Sequence, residues 1–189
     1  MRMYIKVAAI GLVSVLLAGC GDKNEPSAAA VNSGAQTAVA SDQRVNLLEG
    51  RFSFIVPKNL KDKGGQLSGQ TNNMQIFADD TGRQNLVTLV TESDEANPEV
   101  LIEAMANQYY ARDSNAKVIA KEPVSFGEQP AWRLDIVSYT KGQAIYNSIL
   151  MTIVGDELVT IQIALPENGA EKPSVVIQNV IDSIVVKLS

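Results

Sequence analysis

The hydrophobic positions of this chain fall into three regimes. The first is a block: Arg2 and Lys6 precede an apolar stretch from Val7 to Leu17, which gives way to Ala18, Gly19 and Cys20. A basic end, an apolar middle and small residues form the pattern of a secretory signal peptide. Roughly a dozen apolar residues are too few for a helix that spans a bilayer, which takes about 20, so residues 1–19 are expected to be removed. The second regime runs from Gly21 to about Gln43 and consists mostly of Ala, Ser, Asn, Gly and Gln, with only Val31 and Val39 as larger apolar side chains. Such a segment cannot bury enough surface to offset its ordering entropy. Residues 20–43 are therefore expected to form a disordered tether, with an r.m.s. span of about 25 Å.

The third regime, residues 44–189, is patterned throughout. Phe52, Phe54 and Val56 occupy alternate positions after Glu49-Gly50, which predicts a hairpin around a two-residue turn. A polar, Gly-rich loop is expected from about Asn59 to Asn73, followed by strands at Met74–Ala78 and Leu86–Thr91. Their connection, Asp79-Asp80-Thr81-Gly82-Arg83, is a turn by composition. A helix comes next: Asn97 suits the N-cap, Pro98 the first helical position, and Glu99 complements the helix dipole. Leu101, Ala104, Met105 and Tyr109 give its apolar stripe.

Further strands are predicted at about Lys117–Phe126, Pro130–Tyr139, Gln143–Val154 and Glu157–Leu165, with turns at Lys141-Gly142 and Gly155-Asp156. The last element, about Pro173 to Val186, carries Ile177, Val180, Ile181 and Ile184 on one helical face. A meander of strands with one inserted and one terminal helix is an α+β pattern, a mainly antiparallel sheet covered by helices.

Composition narrows the chemistry. Hydrophobic residues at 46% suffice for one globular core. Without the signal, 14 Lys and Arg face 21 Asp and Glu, a formal charge of −7. That balance disfavours nucleic acid and anionic headgroups as partners, since both require a positive footprint. The chain has one cysteine and no histidine. An internal disulfide, a Cys/His zinc site, a Ser-His-Asp triad, a Cys-His pair and an imidazole acid/base are excluded by inventory, and no metal or cofactor is expected.

The remaining motifs each have a plainer reading. Asp80-Thr81-Gly82 resembles the catalytic triplet of aspartic proteases, but it occurs once and in a polar turn. Glu92, Asp94, Glu95 and Glu99 lack the spacing and turn glycine of a calcium loop and read as a solvated helix start. Gly64, Gly65 and Gly69 near Lys61 and Lys63 lack the Gly-Lys-Ser/Thr order of a nucleotide loop and read as a surface loop. Trp132, Tyr139 and Tyr146 could line a recognition surface, and are expected to pack under a helix.

Leu17-Ala18-Gly19-Cys20 resembles the lipobox of bacterial lipoproteins. That resemblance implies cleavage between Gly19 and Cys20, diacylglycerol on the Cys20 thiol, and an N-acyl chain such as palmitate on its new amine. Two or more chains give stable membrane residence. The lipobox is followed by Val45-Asn46-Leu47-Leu48-Glu49-Gly50 with Phe52-Ser53-Phe54, then Thr71-Asn72-Asn73-Met74, Asp80-Thr81-Gly82, Lys141-Gly142-Gln143-Ala144 with Tyr146, and Gln162-Ile163-Ala164-Leu165-Pro166. Together they resemble the DcrB family of enterobacterial lipoproteins. The resemblance implies a PsbP-like α/β/α sandwich with helices on both faces, a periplasmic site and a role as host factor for certain bacteriophages. It carries over no catalytic residue, only Cys20. Family members carry aspartate after the lipidated cysteine, an inner-membrane retention signal; here Gly21 precedes Asp22. The inner membrane is the expected location and the outer membrane the alternative.

The leading expectation is a lipid-tethered, non-enzymatic interaction module that supports envelope and lipoprotein homeostasis through envelope-protein partners. The alternatives are a small-molecule or lipid carrier, and a carboxylate-only hydrolase using Asp80 and the Glu92–Glu95 cluster. A homodimer through an exposed sheet edge is a further expectation.

Overall fold

The structure is a computed structural model that describes residues 43–65, 73–93 and 96–187. Cys20, the signal and tether residues before Gln43, Gly69, Asp94 and Glu95 lie outside the described residues.

Alternating, β-branched runs separated by Gly-containing turns produce a small and a large sheet. The small sheet joins β1 (Gln43–Leu47), β2 (Phe52–Val56) and the C-terminal β10 (Val185–Val186), with β2 in the middle. The large sheet contains β3 (Lys61–Asp62), β4 (Met74–Ala78), β5 (Asn85–Glu92), β6 (Lys117–Phe126), β7 (Gln129–Thr140), β8 (Gln143–Val154) and β9 (Glu157–Pro166). Its order is β3-β4-β5-β9-β8-β7-β6, and every pair is antiparallel. Helix α1 (Pro98–Arg112) leads from β5 to β6, and α2 (Pro173–Ser183) from β9 to β10.

The strand period of two sends alternate side chains to opposite faces. Leu134, Ile149, Met151 and Leu158 face α1, which buries Ile102, Met105 and Ala106 against them. Leu86, Leu150, Ile161 and Ile163 face the other way, where α2 and the small sheet cover them. Phe52, Phe54, Val56, Ile177 and Val180 seal that side. Helices therefore lie on both faces of a mainly antiparallel sheet, as expected. Asn97 caps α1, its Oδ1 accepting from Glu99 N at 3.0 Å, and Pro98 opens the helix.

Four local expectations are corrected. The turn between β1 and β2 spans Leu48–Arg51, because Leu47 pairs with Phe52. Leu48, Glu49 and Gly50 all adopt positive φ (53°, 55° and 84°) to close it, a geometry that propensity does not anticipate. The loop from Asn59 to Asn73 contains β3, which pairs with β4. Helix α1 buries Ile102 and Ala106, while Ala104 is exposed. Apolar residues lie around much of its circumference, so a rotation of about 100°, one residue's worth, is decided by the sheet and not by the pattern. Finally, the C-terminal helix stops at Ser183, and Val185-Val186 extends to pair with β2, as β-branched residues favour.

Candidate functional site

The two described carboxylates among those nominated by the sequence, Asp80 and Glu92, do not converge. Asp80 lies in the β4–β5 turn, exposed and ion-paired with Lys61 at 2.9 Å. Hydrogen bonding from that ammonium, then its charge, hold the Asp80 pKa below the ordinary value. Asp79 beside it accepts from Thr81 Oγ1 at 2.6 Å and from Gln84 N at 3.1 Å, so it fastens the turn. Glu92 stands at the far end of the eight-residue β5, about 25 Å away along the strand. Among the described residues no cleft joins the two. Gly64 N donates to Asp62 Oδ1 at 2.7 Å in a local turn. Among the described residues no group of three or more His, Cys, Asp or Glu could hold a metal ion.

The three aromatics separate. Trp132 packs beneath α1. Tyr146 points to the opposite face against the layer containing α2. Tyr139 is 44% exposed, contrary to the expectation that it packs under a helix. It is the penultimate residue of β7, at the end of the sheet beside the α1 C-terminus, where its backbone N–H donates to Asp113 Oδ2 at 2.7 Å.

Sequence reasoning missed a buried polar network on the α2 side. Asp135, 1% exposed, sits mid-strand in β7. Its Oδ1 accepts from Ser148 Oγ at 2.7 Å, and its Oδ2 accepts from Tyr146 OH at 2.7 Å and Arg133 Nε at 2.9 Å. Arg133 Nη2 closes a second bond to the same oxygen. Strand geometry explains the assembly: Arg133 and Asp135 share a face at i and i+2, and Asp135 lies opposite Ser148 in the β7–β8 register. Burial, then donation to Asp135, raise the Tyr146 pKa. Hydrogen bonding to Asp135 raises that of Arg133. The carboxylate is saturated with donors and the phenol is held neutral, so the cluster is a strut and not a reactive pair. Its signal in the sequence is a charged i, i+2 pair inside an otherwise apolar strand.

One concave feature among the described residues is a groove of about 730 Å³ between the end of β2, the end of β9 and α2. Ile55, Pro57, Leu165 and Val176 supply its apolar wall. Several of its polar groups are already engaged. Asn59 Nδ2 donates to Gln84 Oε1 at 2.8 Å, and Ser183 Oγ accepts from Ile55 N at 2.8 Å while donating to Val180 O at 2.7 Å. Lys58, Glu171 and Asn179 add charged and polar groups to the lining, so the groove offers an apolar wall with a polar rim. Three segments distant in sequence build the groove, so no local motif announces it.

Against curated proteins, the chain is 32% identical over 191 residues to the inner membrane lipoprotein DcrB of Shigella flexneri, covering 99% of this chain and 100% of that protein. The chain belongs to the DcrB family. Membership extends across the whole DcrB length, and makes this a chain of a membrane-associated envelope lipoprotein family. No protein-family model matches it. Among solved structures, cyanobacterial PsbP (CyanoP) from Synechocystis sp. PCC 6803 is similar, with a TM-score of 0.58, 16% identity, and coverage of 82% of this chain and 98% of that one. At that identity the likeness concerns fold alone, and the DcrB-family domain has the PsbP-like α+β architecture.

Proposed function

We propose that this DcrB-family chain is a lipid-tethered, non-enzymatic interaction module. It is anchored through Cys20 to the inner membrane, faces the periplasm, supports envelope and lipoprotein homeostasis, and is exploited by bacteriophages at entry. The observation that carries the reading is 32% identity, over 99% of the chain, to a protein named as an inner membrane lipoprotein, together with Leu17-Ala18-Gly19-Cys20 in the sequence. The test is deletion of the gene, followed by a survey of phage sensitivity and lipoprotein processing. Wild-type complementation restores both and Cys20→Ala does not. Full rescue by Cys20→Ala would refute the role of the anchor, and an unchanged deletion strain would refute the function.

A second reading, an apolar-ligand carrier, is favoured by the groove beside α2. Displacement of an environment-sensitive apolar dye by fatty acid, lost on Val176→Asp, tests it. Absence of dye binding would remove it.

A further inference from the structure

The formal charge of the chain, −5, averages over two ends that differ in sign. The antiparallel sheet sorts its connections to one end or the other. One end carries the β4–β5 turn, the Lys141-Gly142 turn of β7–β8, the start of β6 and the exit of β9. The segment leaving β2 is at this end as well, through the Asn59–Gln84 bond and the Lys61–Asp80 pair. Gln43 pairs with Val56, so the chain enters the domain here too.

This end exposes Lys58, Lys61, Arg83, Lys117, Lys141 and Lys172. Arg44 and Arg112 stand beside them, making eight cations against six carboxylates, Asp62, Asp79, Asp80, Asp113, Glu167 and Glu171. Two of those six, Asp79 and Asp113, accept hydrogen bonds from backbone N–H groups of Gln84, Asn115 and Tyr139. The opposite end holds the β1–β2 loop, the end of β5, the start of α1, and the β6–β7 and β8–β9 turns. Among its described residues Glu49, Glu92, Glu99, Glu128, Asp156 and Glu157 face only Arg51 and Lys187 as cations, and Arg51 is paired with Glu157 at 3.0 Å.

We propose that the domain rests on the bilayer with its chain-entry end down. Arg83, Lys117, Lys141 and their neighbours face anionic phospholipid headgroups, and the acidic end points away. Two independent observations meet at that end: the excess of cations, and the entry of the chain from Cys20. The inference rests on the proposed lipid anchor. The two ends lie roughly 30 Å apart along the strands, more than three Debye lengths at physiological salt, about 8 Å each. A headgroup therefore feels the near end and not the net charge, which is why the overall negative balance does not exclude it. Charge selects which end approaches the surface. The apolar groove, with Pro57 and Pro166 on its wall, opens at the same end.

The test uses the full lipidated chain in vesicles whose headgroups carry nitroxide quenchers. Lipidation blocks Cys20, so Thr140→Cys at the cationic end or Ser125→Cys at the acidic end provides the one free thiol for a fluorophore. In phosphatidylethanolamine–phosphatidylglycerol vesicles, quenching at position 140 is expected to exceed that at 125 by about threefold or more. The difference should vanish in phosphatidylcholine vesicles and at about 1 M salt, where the Debye length falls to about 3 Å. The combined change Arg83→Glu, Lys141→Glu, Lys172→Glu should equalise the two positions; if that variant fails to fold, the salt and lipid arms decide alone. Equal quenching at both positions in anionic vesicles, or a difference indifferent to lipid charge and salt, overturns the orientation. Failure of the protein to float with vesicles overturns the anchor and the orientation with it.

Discussion

Replacing Asp135 by alanine tests whether the buried network is a strut. The substitution leaves the Arg133 guanidinium, whose side chain is 15% exposed, without its carboxylate, and orphans the hydroxyls of Ser148 and Tyr146. Breaking a buried ion pair from one side costs about 3–5 kcal/mol. An orphaned buried hydroxyl adds about 1–3 kcal/mol. Tyr146 and Arg133 both reach solvent in part, so water recovers some of the loss, and a net cost of about 4 kcal/mol is expected. Against a total stability of about 5–15 kcal/mol, this lowers the urea midpoint sharply at an unchanged slope. The melting temperature should fall by roughly 10 °C. The companion variant Arg133→Met with Asp135→Leu removes the orphaned cation and should recover about half of the loss, since the Ser148 hydroxyl remains without a partner. A cost for Asp135→Ala below about 1 kcal/mol, or a double variant no more stable than the single one, would refute the strut.

Three shorter predictions follow from the turns and tyrosines. Gly155→Ala and Gly142→Ala should each cost about 1–2 kcal/mol by thermal melting, because φ is +64° and +78°; a Cβ at 155 meets only the end of the flexible Arg51 side chain, so no loss at either position would contradict the strain. Burial raises the Tyr109 pKa to about 12, and Tyr146 is raised too. The unfolded phenol loses its proton near pH 10, so this stabilisation is complete below that pH and is lost as pH rises towards the folded value; a urea midpoint that stays flat across this window would contradict it. Asp80→Asn, which removes an exposed ion pair with Lys61, should leave the melting temperature unchanged, and a clear loss would mean that the turn depends on that carboxylate.

Strand and helix positions were legible wherever local chemistry is decisive. Lys117–Phe126 and Gln143–Val154 match the observed strands end to end, because turns rich in Gly, Asp, Ser and Asn bound their apolar residues. Asn97-Pro98-Glu99 marked the start of α1 for the same reason. What was illegible depends on long-range pairing. Val185-Val186 has the residues of a strand, but it becomes one only because the outer edge of β2 lies within reach. The face of α1 is chosen by Leu134, Ile149 and Met151 beneath it. Asp135 was readable as an oddity, a carboxylate inside an apolar run, yet its partners Tyr146 and Ser148 come from another strand.

The same distinction bears on where function resides. Within the described domain the most buried carboxylate is saturated by four donated hydrogen bonds, and the nominated Asp80 is held by Lys61 in solvent. Interior polarity is thus tied up in bonds within β7 and between β7 and β8. Recognition then falls to features that no short motif contains: a groove built from β2, β9 and α2, and two ends of opposite sign sorted by strand direction. Both follow from topology. Substitutions that preserve the strand pattern while changing turn residues should therefore leave the fold intact and redirect what the domain touches.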